Sequence, residues 1–266
     1  MSVNELKIVI TGSAQDGGIP QAGCKCLNCL NFPRLISSLA IIDGKSLVFI
    51  DVTPDFRFQY SRIVKDYDVK LDAVYLTHAH WGHYGGLMSF GREGWNTKDM
   101  PVFMSHKFLN FLTGNQPFAE LISNKNILPK IIEDGVNTDY GLIPIRVAHR
   151  DEFCDTYGYL ILAKSKRVLY LPCLDYFSSE INELIQSVDL SIIDGTFYDD
   201  TEVGNRDISQ IPHPRVSSSM KQFADVADKV VFTHLNHSNP LVNPHGNEYS
   251  NLVSAGFRVA EDWSEL

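Results

Sequence analysis

His78-Ala79-His80-Trp81-Gly82-His83 sets three imidazoles within six residues, directly after the apolar run Ala73-Val74-Tyr75-Leu76 and before Tyr84-Gly85-Gly86. His78 and His80 are two apart, so an extended backbone points them to the same side. His83 swings back as the chain turns toward the next helix. Neutral imidazole is the commonest metal-binding side chain, and clustered nitrogen donors suit zinc or iron. Three histidines exposed in a loop are the bland alternative. Their convergence at a strand end favours a metal site.

A second cluster is built from thiols. Cys24-Lys25-Cys26-Leu27-Asn28-Cys29 sits in a stretch containing Gly12, Gly17, Gly18 and Gly23. Three thiolates this close call for a fourth ligand around a tetrahedral structural zinc. A disulfide is the competing reading. It is weakened by the five cysteines and by the lack of a basic, apolar secretory leader in Met1–Ile10. The expectation is a cytoplasmic protein with a zinc loop at about residues 12–33.

The remaining polar residues of interest stand at strand ends. His149 follows Leu142–Val147, Cys173 and Asp175 follow Arg167–Leu171, and Asp194 ends Leu190–Ile193. His234 and His237 follow Lys229–Phe232, and His213 lies between Pro212 and Pro214. Each alone is a weak signal. Together, the late strands deliver a ligand or acid–base group to one edge.

Positioning these groups requires two strand-rich halves. In the first, strands are expected at Leu6–Ile10, Ser38–Ile42, Leu47–Ile50, Leu71–Leu76 and Pro101–Met104, with an Asp43-Gly44 hairpin turn. Thr53 and Pro54 are expected to open a helix, and Lys107–Leu112 and Phe118–Ser123 to be helical. In the second half, strands are expected at Leu142–Val147, Tyr157–Leu162, Arg167–Leu171, Leu190–Ile193, Lys229–Phe232 and Phe257–Val259. Helices are expected at Ser178–Gln186, Pro214–Phe223 and Glu248–Ser254. This order suits an α/β, four-layer αββα sandwich forming one domain over residues 1–266. Asn115–Asn126 reads as a lid or an oligomer contact, and the oligomeric state is open.

The 44% hydrophobic fraction is ample for a core, and no stretch approaches the roughly 20 apolar residues that cross a bilayer. The net charge of −9 argues against a nucleic-acid surface. A small, anionic substrate remains compatible, because bound metal inverts the local field. Arg34 and Arg57 read either as contacts to such a substrate or as surface ion pairs. Trp81 and Tyr84 read as pocket walls or as packing. Asp51 and Asp55 read as caps or as carboxylates behind ligands, and Arg150-Asp151-Glu152 as a support for His149 or a solvated loop.

The histidine stretch resembles the His-x-His-x-Asp-His motif of the metallo-β-lactamase superfamily, with Gly82 where the motif has aspartate. The stretches Gly12-Ser13-Ala14, Gly17-Gly18-Ile19-Pro20-Gln21, Cys24-x-Cys26-x-x-Cys29, Pro54–Gln59, Asp194-Gly195-Thr196 and His234–Pro240 resemble the PqqB family of pyrroloquinoline quinone biosynthesis. The cysteine loop also resembles the PhnP phosphodiesterases. The resemblance implies His78, His80 and His149 around a first metal and His83 and His234 around a second. It puts the bridging ligand at Cys173, or at Asp175 if the turn is shifted. It implies His237 as the fourth ligand of the structural Zn²⁺ with Cys24, Cys26 and Cys29, and His213 as the acid–base group near the leaving oxygen. The histidine site would take one or two ions, as Zn²⁺, Fe²⁺ or Mn²⁺, the second weakened or lost through Gly82. The leading expectation is a metal-dependent hydrolase of a small phosphodiester, ester or lactone. An iron-dependent oxygenase and a non-catalytic binding or carrier protein are the alternatives.

Overall fold

The computed structural model describes residues 6–163, 166–203, 207 and 210–266. Residues Met1–Glu5, on which the leader argument partly rests, lie outside them. The strands are β1 (Lys7–Gly12), β2 (Ser38–Asp43), β3 (Ser46–Ile50), β4 (Lys70–Tyr75), β5 (Met100–Met104) and β6 (Ile127–Ile131), then β7 (Leu142–Val147), β8 (Thr156–Ala163), β9 (Lys166–Leu171), β10 (Leu190–Asp194), β11 (Val230–Thr233) and β12 (Arg258–Val259). The first six form one sheet in sequential order and the last six another, in the order β12-β11-β10-β9-β8-β7. Both sheets are mixed. β1–β2–β3 and β7–β8–β9 are antiparallel meanders, and each continues into parallel strands.

Period-two alternation explains the layering. Ile8 and Ile10 face inward, with Tyr75, Tyr159, Tyr170 and Ile192, into a core between the sheets. Val9 faces outward, with Phe49 and Val74, onto α2 (Phe56–Asp66), α4 (His106–Thr113) and α5 (Phe118–Ser123) through Phe56, Ile63, Phe108, Leu112 and Leu121. Leu169 and Ile193 face the other way, onto α6 (Ser179–Ser187), α7 (Val216–Gln222) and α8 (Asn247–Ser254) through Ile181, Ile185, Val216 and Leu252. Helix, sheet, sheet and helix are the four layers of the metallo-β-lactamase sandwich. No helix among the described residues is long and apolar enough to cross a membrane.

Two local expectations need correction. Thr53 does not cap α2: Asp55 holds the cap position, and the Thr53 hydroxyl accepts from the Asp55 N–H while donating to Gln59. β6 has no counterpart among the expected strands, because Pro129 breaks its donor pattern. Pro129 is accommodated because β6 is an edge strand. Residues 115–126 contain α5, whose Leu121 is buried in the outer core.

Candidate metal centre

Strand ends and the turns after them deliver the donors. His78 and His80 follow β4, His83 lies in the short helix α3 (Trp81–Tyr84), and His149, Cys173 and His234 follow β7, β9 and β11. His78 Nε2 lies 2.8 Å from His80 Nδ1, which lies 3.3 Å from His149 Nε2. These three nitrogens form a first donor cluster.

The second cluster adjoins it. Cys173 Sγ is 3.5 Å from His83 Nε2 and 3.2 Å from His234 Nε2. His78, His83 and Cys173 also form a three-donor group, so the thiol sits between the two clusters. A further residue, which motif reading missed, faces the same two histidines: Asp16 Oδ1 lies 3.3 Å from His83 Nε2 and 3.9 Å from His234 Nε2. The sequence signal that would have found it is a carboxylate in a glycine-rich loop of a chain whose motif lacks one.

Asp175, the alternative to Cys173, is not among the converging donors. Its Oδ1 is 2.9 Å from His149 Nδ1, behind the ring, while its Oδ2 accepts from the Arg150 N–H. Of positions 173 and 175, it is Cys173 whose donor atom converges with the histidine nitrogens.

Every histidine of the two clusters is held from its far nitrogen. His78 Nδ1 meets Thr77 Oγ1 at 3.0 Å, His80 Nε2 meets Glu152 at 2.8 Å, and His234 Nδ1 meets Thr196 Oγ1 at 2.9 Å. His83 Nδ1 meets the fully buried Asp51 at 2.7 Å. Such outer partners fix ring orientation and tautomer around a metal. Asp51 and His234 both have positive φ, 68° and 61°, in the left-handed region that non-glycine residues rarely occupy. Strain of this kind concentrates at functional sites. Asp51 is therefore a carboxylate behind a donor rather than a helix cap, and Glu152 supports His80 rather than His149.

His213 stands beside both clusters, its ring centroid 5.1 Å from His149 and 6.1 Å from His234. Its Nδ1 lies 2.6 Å from Asp194, which is fully buried. Against burial, which raises it, the His213 contact lowers the Asp194 carboxyl.

The two clusters differ in charge preference. Burial and neighbouring imidazoles push His78 well below the ordinary histidine value, and burial takes His149 down to about 4 despite Asp175. In the second cluster burial is overridden. Asp51, Cys173 and Asp16 hold His83 well above its usual range, and Cys173 and Asp16 raise His234 to about 10.

The cysteine loop closes as a third cluster. Cys24, Cys26 and Cys29 converge with His237, whose Nδ1 is 3.4 Å from Cys24 Sγ and 3.6 Å from Cys26 Sγ. Zinc arms of about 2.3 Å to sulfur and 2.0–2.1 Å to nitrogen at tetrahedral angles put those atoms about 3.5 Å apart. None of the five cysteines is in a disulfide. Asn28 ties the loop down, donating to the His237 and Asn239 carbonyls.

Other residues fall outside the clusters. Arg34 is taken up structurally by Ser13, the Ala260 carbonyl and nearby Asp262, and Arg57 lies over the exposed Phe58. Tyr84 packs among Phe108, Phe111 and Phe118, whereas Trp81 is 58% exposed.

Comparison with known proteins agrees with this fold. A family model described as a β-lactamase superfamily domain matches residues 47–235. The chain is 26% identical to coenzyme PQQ synthesis protein B of Methylorubrum extorquens (strain PA1) over 97% of its own length and 98% of the relative's. The crystal structure of Zn²⁺-bound PqqB from Methylobacterium extorquens superposes with a TM-score of 0.85 at 23% identity, covering 98% of this chain and 99% of that one. A diphosphatase of the PhnP family superposes with a TM-score of 0.74 at 24% identity, covering 99% and 97%.

Proposed function

Because the chain belongs to the β-lactamase superfamily, we propose that it is a metal-dependent hydrolase of a small phosphodiester, ester or lactone. The observation that carries this reading is the convergence of His78, His80 and His149 beside Asp16, His83, Cys173 and His234, with each histidine held from its far nitrogen. A metal bound there supplies Lewis acidity and lowers the pKa of its water toward about 7.

The chain's own groups do the rest. His78, His80 and His149 would hold the first ion, and His83, His234 and Cys173 would contribute to a second position. Asp175, Glu152, Thr77, Asp51 and Thr196 keep the rings aimed. His213 stands at the edge of both clusters with Nδ1 engaged by Asp194. That leaves Nε2 to carry a proton to the leaving oxygen, a step typically worth about 10²–10⁴-fold. Cys24, Cys26, Cys29 and His237 would hold a structural zinc. The likeness to the PhnP-family diphosphatase favours a phosphoryl substrate.

A second reading, metal-dependent chemistry in quinone cofactor synthesis, draws on the full-length likeness to coenzyme PQQ synthesis protein B. One experiment separates the two. Elemental analysis of anaerobically purified protein, wild type beside His78→Ala, is paired with hydrolysis of an activated phosphodiester and with oxygen uptake. Zinc or manganese at the histidines with His78-dependent hydrolysis supports the hydrolase. Iron with substrate-dependent oxygen uptake supports the second reading. Metal only at the cysteines, unchanged in the variant and not restored by added metal, sinks both and leaves a binding protein.

A further inference from the structure

The geometry points to Asp16 as the carboxylate ligand of the second metal position, supplied from the loop before the cysteines in place of the aspartate missing at Gly82. This assignment rests on the reading that the histidine cluster holds metal.

Three observations converge on it. First, a Cβ built on Gly82 would fall 2.6 Å from the Asp16 Cα and even closer to its Oδ1. Residue 16 therefore occupies the space a side chain at position 82 would take, and glycine at 82 is the condition for its entry. Second, Asp16 Oδ1 faces the donor nitrogens of His83 and His234, at 3.3 and 3.9 Å. Third, that oxygen is buried without a hydrogen-bond partner, while Oδ2 is taken by the Gln15 amide. A buried carboxylate oxygen without a hydrogen bond, aimed at two imidazole nitrogens, has lone pairs that a cation held between the three groups would satisfy.

The backbone explains how a loop residue reaches this point. Residues 13–15 run alongside the turn after β11: the Leu235 N–H donates to the Ser13 carbonyl, and the Gln15 N–H donates to the Leu235 carbonyl. Asp16 is thus docked one residue beyond a ladder that also fixes His234. With the two histidines it forms a three-donor group, at a position where the superfamily motif would have drawn its carboxylate from the same turn as His83.

The test is metal stoichiometry and affinity, measured with Zn²⁺ against a chromophoric chelator, for wild type, Asp16→Asn and Gly82→Ala. Asp16→Asn keeps the shape and removes the charge. Gly82→Ala adds no donor and takes none away, but its methyl group displaces Asp16. The expected result is that wild type binds one more ion per chain than either variant at equal free zinc. The weakest histidine-site ion should bind at least about 100-fold less tightly in both variants, with the other ions unchanged. Thermal unfolding of the chelated proteins identifies a variant that has lost its fold. If Asp16→Asn keeps the wild-type stoichiometry and affinity, or loses both histidine-site ions to the same extent, the assignment is overturned. Wild type that takes up no ion at the histidines overturns the hydrolase reading itself, so the two failures are distinguishable.

Discussion

The two donor clusters lie side by side at the same strand ends but are built by opposite rules. The first is all imidazole: His78, His80 and His149, with Asp175 and Glu152 confined to the far sides of the rings. Burial there favours the neutral form, which is the metal-binding form. The second is mixed: the Asp16 carboxylate faces His83 and His234, the Cys173 thiol lies against the same two rings, and Asp51 stands directly behind His83. Its acidic neighbours raise both imidazoles, so a cation there competes with protons. One site is thus preorganised for a metal, whereas at its neighbour binding is tied to proton release.

Breaking the first cluster has the largest expected effect. His78→Ala should lose an ion per chain and reduce hydrolysis of an activated phosphodiester by about 10³-fold or more, since the metal contributes several kcal/mol of charge stabilisation. Activity within tenfold of wild type would place the chemistry elsewhere.

His213→Gln tests a group common to both clusters. It should lower kcat by about 10²–10⁴-fold for a poor leaving group and much less for nitrophenolate, with metal content unchanged. Equal losses for the two leaving groups would remove His213 from proton transfer.

Asp51→Asn sharpens the contrast. The carboxylate touches His83 and Thr77 and neither His80 nor His149. Zinc affinity of the second position should fall about 10–100-fold, with the first little changed.

The smallest change is one of pH, measured by zinc titration over half a pH unit above neutrality. His83 and His234 are raised above their ordinary value, so the metal-free second cluster is protonated at neutral pH and each bound ion displaces protons. Its affinity should climb about tenfold per pH unit for each proton released and be lost as pH falls. His78 and His149 are lowered, so affinity at the first cluster should be nearly flat above pH 7. Equal slopes at both would erase the proposed difference.

Much of this molecule was legible from its residues. The alternation of Ile8, Val9 and Ile10, and of Leu169, Tyr170 and Leu171, marks strands that bury both faces, because side-chain direction is a property of the local backbone. β6 escaped because Pro129 belongs to an edge strand, and being an edge is a property of the sheet. Tyr84 and Trp81, three residues apart, could not be told apart until packing set one, half-buried, among three phenylalanines and left the other exposed.

The same division governs the candidate site. By itself, the sequence determined the local constellations: His78, His80 and His83 on one turn, Cys24, Cys26 and Cys29 in one loop, and His234 three residues from His237. Covalent spacing of a few residues already confines such groups to one neighbourhood. It took the tertiary structure to bring Cys173 among the donors and Asp175 behind His149, to set Asp51 behind His83, and to carry Asp16 into the space beside Gly82. Those outcomes depend on segments distant in sequence pairing at Ala14–Leu235 and meeting across two sheets, which no short-range spacing encodes.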